Sequence, residues 1–160
     1  MKQEKTFREV QAFIQVGKPF TEHQGRFGYY IQKVFKSCSS FDDFVNEQNV
    51  YISDKQDSII KKYAEIDQET KEFKYINSFD KDNNPVKEYV FTAENNVLRI
   101  DEINALVKER NNIFNTKTFE VNTMYIPNLS DIPTDLNANQ LAALEGFVID
   151  PVMVEEYFNL

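Results

Sequence analysis

The sequence has few of the residues from which most enzyme and metal sites are built. Its 160 residues include one cysteine, one histidine, four glycines and no tryptophan. A single cysteine excludes a disulfide framework or a cysteine zinc site within the chain, and a single histidine excludes a histidine-rich metal site. Four dispersed glycines exclude a glycine-rich phosphate loop. No apolar run approaches the roughly 20 residues that cross a bilayer, and the N-terminus lacks the apolar stretch of a signal peptide.

The composition that remains is that of an ordinary globular protein. It is 41% hydrophobic and 28% charged, and its length predicts a single domain over residues 1–160. Phenylalanine and isoleucine are frequent, and such residues favour strands. Together with abundant asparagine, lysine and tyrosine, they are also what an AT-rich genome encodes.

The net charge of −8 is unevenly distributed along the chain. Residues 1–40 carry seven basic and three acidic side chains, whereas residues 118–160 carry seven acidic side chains and no lysine or arginine. Such asymmetry bears on partners rather than on fold. The acidic end disfavours nucleic acid as a partner. The basic start is interpreted either as a phosphate-contacting surface or as a solvated helix face that pairs with acids elsewhere.

Helical periodicity predicts that most of the first half of the chain is α-helical. Thr6 and Glu9 fit a capping box for a helix over residues 6–16, and Thr21 is the expected cap of a second helix. Apolar residues at offsets of three, four and seven predict a helix of about 25 residues from Phe41 to Ile66. We expect it to pair in an antiparallel hairpin with the helix before it.

The second half mixes strands and shorter helices. The sequence predicts a β-hairpin with strands at residues 72–76 and 86–92 and a turn at residues 80–85. It also predicts a third strand at residues 97–100. Asp101 is then the expected cap of a helix. A strand over residues 117–126 and a helix starting at Thr134 or Asn137 and stopped by Pro151 complete the chain. The predicted class is α+β: an N-terminal helical hairpin with a long amphipathic helix, a small antiparallel sheet and two shorter C-terminal helices.

No residue pattern predicts catalysis, a cofactor or a metal site. The run from Asp80 to Asn84 resembles the start of a calcium loop, but Pro85 and Phe91 stand where the loop needs glycine and glutamate, so a hairpin tip is the better interpretation. His23 has no partner carboxylate at helical spacing, and Cys38 lies in no recognisable nucleophile motif. We therefore expect a protein that is not an enzyme.

The order of several short motifs resembles a group of small tailed-bacteriophage proteins of uncharacterised function. The motifs are a basic-aromatic helix, a Lys-Tyr-Ala-Glu helix end, an Asp-rich hairpin tip and a short acidic helix. They span about residues 20–126, and Asn84-Pro85 departs from the expected Asn-Gly tip. The resemblance implies a phage origin and carries over no catalytic residue. In this sequence the motifs are residues 26–33, 62–65, 80–86 and 101–106, followed by a strand with Glu120 and Val121.

The first functional hypothesis is a non-enzymatic phage protein that acts through protein–protein contacts in the virion or its assembly. Charge complementarity between the basic start and acidic end of neighbouring copies predicts a homo-oligomer or a larger complex, in the virion or the host cytoplasm. The alternative is an acidic inhibitor of a host defence or replication enzyme. The predicted partner-binding residues are Arg26, Tyr29, Tyr30 and Lys33 on the basic side, and Asp150, Glu155 and Glu156 on the acidic side.

Overall fold

In the computed structural model, which describes residues 1–22 and 25–157, the protein has an α+β fold with six α-helices and two separate two-stranded antiparallel sheets. The predicted class is confirmed, with helices towards the N-terminus and short helices towards the C-terminus, but the one expected sheet is two. The elements are β1 (Lys2–Thr6), α1 (Phe7–Gly17), α2 (Arg26–Lys36), α3 (Ser39–Tyr63), β2 (Tyr75–Phe79), β3 (Pro85–Tyr89), α4 (Ala93–Thr116), β4 (Thr118–Asn122), α5 (Ala138–Leu144) and α6 (Pro151–Tyr157).

The chain forms two compact units. Unit 1 consists of residues 1–46 and 113–160, and unit 2 of residues 47–112. Both α3 and α4 contribute residues to each unit. That the 160 residues behave as a single domain stays a prediction.

Unit 1 is closed by pairing between the N-terminal strand and a strand more than 110 residues further along the chain. Strand β1 lies antiparallel to β4, with Lys2 opposite Asn122 and Thr6 opposite Thr118. The backbone nitrogen of Thr123 donates to the Met1 carbonyl over 2.7 Å, which extends the pairing by one residue. Strand β1 was not predicted, because Lys-Gln-Glu-Lys-Thr has no apolar residue to mark its buried side.

An aromatic cluster forms one part of the core of unit 1. The Phe7 ring stacks on Phe114 with the ring centres 4.5 Å apart, and it lies 4.9 Å from the ring of Phe41. Phe119 of β4 contacts Phe41 at 5.2 Å. Phe7 follows directly after β1, so the cluster and the β1–β4 pairing stabilise the same junction.

The predicted start of α1 is confirmed in detail. Thr6 accepts from the Glu9 backbone nitrogen, and a Glu9 carboxylate oxygen accepts from the Thr6 nitrogen at 2.8 Å, which completes the capping box.

The predicted start of the second helix at Thr21 was wrong. Residues 18–22 form a 3₁₀ turn, and α2 begins at Arg26 after Gly25, whose φ of 125° is one that glycine tolerates. His23 lies outside the described residues.

In the C-terminal region, the predicted start of the helix is confirmed and its predicted end is not. Of the two predicted starts, Asn137 is the cap, with a capping box to Gln140. The predicted stop at Pro151 was wrong. The helix ends at Leu144, Gly146 turns the chain with a φ of 70°, and Pro151 opens α6 instead. Proline suits the first turn of a helix because its missing N–H has no acceptor there.

The larger difference between the predicted and the observed secondary structure lies in unit 2. Residues 93–116 form the single helix α4, so the predicted strand at residues 97–100 and the cap at Asp101 were wrong. The hydroxyl of Thr92 accepts from the Asn95 nitrogen at 3.1 Å and marks the true start. The apolar residues Val97, Leu98 and Ile100 fit a strand as well as a helix, because a short apolar run does not distinguish the two-residue period of a strand from the 3.6-residue period of a helix.

Helix α3 has the predicted length, and its partner in unit 2 is α4. The Glu102 carboxylate accepts from the Tyr63 hydroxyl at 2.6 Å and from the Lys62 ammonium. The Tyr51 hydroxyl lies 3.4 Å from a Glu109 oxygen. Tyr51 precedes Tyr63 in α3, whereas Glu109 follows Glu102 in α4. The two helices are therefore antiparallel within this unit.

The predicted hairpin is confirmed, with both strands shifted by a few residues. Strands β2 and β3 pair antiparallel, with Tyr75 opposite Tyr89 and Phe79 opposite Pro85. The Asp80 carboxylate accepts from the backbone nitrogens of Asp82 and Asn84 at 2.9 and 2.8 Å. It thus forms the hairpin tip, as predicted in preference to a calcium loop.

Replacing Phe7 with alanine is expected to destabilise the protein by about 3–5 kcal/mol, because a buried aromatic side chain is lost and a cavity remains. Urea unfolding followed by circular dichroism measures the change. The matched control is Tyr29→Ala, since Tyr29 is 52% exposed, and its cost is expected to stay below about 1 kcal/mol. Equal losses from both variants would contradict the assigned core.

Replacing Glu102 with glutamine is expected to flatten the acid side of the stability profile. Hydrogen bonds from Lys62 and Tyr63 lower the pKa of Glu102 below its ordinary 4.5. Its contribution is therefore present above about pH 4.5 and is lost as pH falls through the lowered pKa. Thermal unfolding between pH 7 and pH 3 measures this. An unchanged slope in Glu102→Gln would contradict the assignment.

Candidate docking surface

The four predicted partner-binding residues of α2 differ in accessibility. Tyr29 is exposed, and the Lys33 ammonium lies 5.3 Å from the centre of its ring. The Arg26 guanidinium is exposed and forms an ion pair with Asp131 at 3.4 Å. Tyr30 is half-buried and packs against the core. Three of the four side chains are thus available to a partner, while Tyr30 has mainly a structural role.

The three predicted acidic residues lie at the two ends of α6. An Asp150 carboxylate oxygen accepts from the Val152 nitrogen at 3.0 Å, so this residue helps to begin the helix. Glu155 and Glu156 are exposed in its last turn. Between them, Met153 and Val154 pack against the core of unit 1.

The α2 and α6 residues reach the same loop of unit 1. Arg26 of α2 pairs with Asp131, and the hydroxyl of Tyr157 of α6 donates to the Pro133 carbonyl at 2.7 Å. Asp131 and Pro133 belong to one short stretch of chain before α5. Arg26 and Tyr157, a neighbour of Glu155 and Glu156 in α6, thus both contact this stretch of unit 1.

The charge asymmetry of the sequence does not become a charge difference between the units. Unit 1 carries 8 basic and 12 acidic residues and unit 2 carries 10 and 14, so each has a net charge of −4. Within unit 1 the Lys2 ammonium contacts a Glu120 carboxylate oxygen at 2.6 Å across β1 and β4. The basic start and the acidic end thus meet within one copy, through Lys2 with Glu120 and through Arg26 with Asp131.

Unit 2 exposes apolar side chains that the sequence did not indicate as a site. Among the described residues, ten of the fourteen exposed large hydrophobic side chains belong to unit 2, and only three of the twenty-one buried ones do. Exposed apolar area of this kind marks interaction surfaces in folded proteins. The ten exposed residues are Val50, Tyr51, Ile66, Tyr75, Ile76, Phe79, Val97, Leu98, Ile100 and Val107.

Helix α4 carries apolar residues on two opposite sides. Leu106 is only 6% exposed and lies on the side that faces the rest of unit 2, whereas Val97 is 58% exposed. Nine residues at 3.6 per turn place these two about half a turn apart. Ile100 and Val107 follow Val97 at offsets of three and ten and share its exposed side. We call Val97, Ile100 and Val107 the outer face of α4.

The sequence contained a signal for this surface. The apolar residues of α4 surround the helix and do not form a single stripe, which is the pattern of a helix covered on two sides. Interpreting residues 97–100 as a strand concealed that signal. The outer face follows only when the whole segment is known to be one helix.

Several titratable groups of the described chain have structural surroundings that account for them. Among residues 1–22 and 25–157, no three histidine, cysteine, aspartate or glutamate side chains are grouped so that they would hold a metal ion. Burial raises the pKa of the Cys38 thiol to about 11, so it is protonated at neutral pH. Hydrogen bonds from Asn84 lower the pKa of Asp80. In the same described ranges, no helix is long and apolar enough to span a bilayer.

An open groove of about 350 Å³ lies in unit 1 between α1 and α5. Two of its three charged residues are already bonded: Glu9 completes the α1 cap, and Arg8 donates to the Asn115 side chain at 3.1 Å. The third is Glu145, and the floor includes Ala12, Ala142 and Phe147. The groove therefore combines an apolar floor with one further carboxylate.

We compared the chain with known protein families, curated proteins and solved structures. No protein-family model, no curated protein and no solved structure matches the chain. The candidate surface accordingly stands on its own geometry.

Replacing Val97 with glutamate is expected to change the free energy of unfolding by less than about 0.5 kcal/mol, as for other exposed positions. Leu106→Ala, on the opposite side of the same helix, is expected to cost about 2–5 kcal/mol. Urea unfolding followed by circular dichroism compares the two. A large loss in Val97→Glu would show that the outer face of α4 belongs to the core.

Proposed function

We propose that this protein is a non-enzymatic bacteriophage protein that acts through protein–protein contacts, as a virion or assembly component. The observation that carries the proposal is the exposed apolar surface of unit 2, above all the outer face of α4. Water-exposed Val97, Ile100 and Val107 lower their free energy when another protein covers them, at about 25 cal/mol per Å² of apolar area. The phage setting rests on the resemblance of residues 20–126 and on the residue choice.

A contact role is further supported by how the ionisable groups are used. The Asp67 carboxylate accepts from the Glu69 and Thr70 nitrogens, and Asp80 organises the hairpin tip. Glu102 joins α4 to α3. A general acid or base needs a carboxyl that is left free to face a substrate, whereas these three stabilise local structure.

The alternative, an acidic inhibitor of a host defence or replication enzyme, stays a hypothesis. A mimic of nucleic-acid phosphates would need carboxylates in a dense array. In the C-terminal segment, Asp131 pairs with Arg26, Glu120 pairs with Lys2 and Asp150 bonds the start of α6. These contacts favour the contact role over phosphate mimicry.

The test is fractionation of infected cells that produce a tagged chain. Purified particles and assembly intermediates are separated on density gradients and probed for the tag. The wild type is expected to sediment with one of these fractions, and Val97→Glu combined with Val107→Glu is expected to be lost from it. Lys36→Glu, a change at an exposed position of unit 1, is the control and is expected to remain.

Three results would contradict the proposal. The first is a wild-type chain that stays with free protein in every gradient. The second is equal retention of the double variant and the control, which would remove the α4 surface from the role. The third, recovery of the chain only with a host nuclease or polymerase, would favour the inhibitor hypothesis.

A further inference from the structure

The backbone of the β2–β3 hairpin leaves one set of hydrogen-bonding groups pointing outward. The Val90 nitrogen donates to the Lys74 carbonyl at one end, and the Asp80 nitrogen donates to the Asn84 carbonyl at the other. Antiparallel pairs alternate between bonded and non-bonded residues, so the bonded pairs inside the hairpin involve the even-numbered residues. The outward N–H and C=O groups of β2 are those of Tyr75, Asn77 and Phe79.

Among the described residues, no element of the chain bonds to these outward groups of β2. The β2 side chains are also exposed on both faces of the hairpin: Phe79 is 66% exposed on one face and Ile76 55% on the other. By contrast, β4 of the other sheet buries Phe119 and Val121. An isolated two-stranded hairpin is marginal in water, and three or more strands stabilise a sheet.

The two outer edges of this hairpin are protected to different degrees. The β3 edge carries Pro85, which has no N–H to donate, and Lys87, whose charge opposes pairing. Natural proteins use proline and lysine to block an edge strand in this way. The β2 edge, Tyr-Ile-Asn-Ser-Phe, contains no charge, proline or glycine. Of these two edges, it is the β2 edge that is open to another strand.

We propose that β2 pairs antiparallel with β2 of a second copy of this chain and so forms a four-stranded sheet in the order β3-β2-β2-β3. The pairing is centred on Asn77, which lies opposite Asn77 of the other copy. This inference rests on the proposed function, a role in protein–protein contacts, and names a second copy as one partner.

The register follows from the sequence around Asn77. This register is the one that pairs all five residues of β2 with all five of the other copy. It places Tyr75 opposite Phe79 on one face, and aromatic pairs across strands are favourable. Immediately outside the strand it places Lys74 opposite Asp80, twice by symmetry. Within one copy the Lys74 ammonium lies 3.4 Å from a Glu65 carboxylate oxygen, and the Asp80 carboxylate accepts from the hairpin tip. Residues of opposite charge therefore flank both ends of the pairing, and the strand itself carries no charge.

This complementarity favours a second copy over an unrelated strand. A two-fold pairing requires that the same five residues and their flanks match themselves when reversed. In residues 74–80 the reversed pairs are a base with an acid at each end, an aromatic with an aromatic inside them and Asn77 with itself at the centre, while Ile76 lies opposite Ser78. The hydrogen-bonded edge supplies the binding energy, and the end charges fix the direction.

The experiment measures self-association by analytical ultracentrifugation from about 1 to 200 μM. The wild type is expected to show a monomer–dimer equilibrium. Asn77→Asp and Asn77→Lys each place like charges at the two-fold axis, and each is expected to weaken the dimer by at least about tenfold. An equimolar mixture of the two variants is expected to restore association, because the aspartate of one copy then faces the lysine of the other across the axis.

Lys36→Gln is the matched control. It changes the net charge by the same amount as Asn77→Asp, and Lys36 is an exposed residue of α2 that takes no part in the hairpin. Its association is expected to equal that of the wild type. Amide hydrogen exchange gives a second measurement: Tyr75, Asn77 and Phe79 are expected to become protected as concentration rises, and Lys87 and Tyr89 are not.

Several results would overturn the inference. A wild type that is monomeric up to 200 μM excludes β2 self-pairing. So does a dimer that withstands both Asn77 variants, or a mixture of these variants that fails to associate although each is folded by circular dichroism. A monomeric wild type that still sediments with particles overturns the inference alone. A dimer that is absent from every particle fraction overturns the proposed function alone.

Discussion

The structure of unit 1 depends on contact between the N-terminus and strand β4, far along the chain. The Met1 ammonium group donates to the Thr123 carbonyl at 2.8 Å across a separation of 122 residues. Closing a loop of that length costs about 4 kcal/mol of chain entropy. Burying one or two phenylalanine side chains, at about 1.5–3 kcal/mol each, offsets this cost. Phe7 directly follows β1, Phe119 belongs to β4, and both are buried and provide that stabilisation.

Closure has a direct consequence for charge. Because β1 lies on β4, the basic start and the acidic end of the sequence share one unit, and ion pairs such as Lys2 with Glu120 form inside it. A polarity that is evident along the chain is therefore largely absent between the units. What distinguishes the two units is burial, since ten large apolar side chains are exposed in unit 2 and three hydrophobic ones are buried, among the described residues.

The parts predicted correctly are those whose cause is local. The capping box of Thr6 and Glu9, the cap at Asn137 and the turn at Asp80 each need only a few neighbouring residues to form. The long helix α3 followed from its periodicity. The errors arose where local signals were ambiguous or absent. Residues 97–100 fit two periods, and β1 has no apolar residue to reveal that it is a strand.

For this protein, the sequence alone determined the α+β class, the helix caps at Thr6 and Asn137 and the presence of the hairpin. Tertiary structure decided which charges neutralise one another, which side of α4 is left in water and which hairpin edge is open. The physical reason is range. Caps, turns and periodicity depend on contacts within a few residues, whereas burial and pairing depend on residues such as Phe7 and Phe114 that only folding brings together.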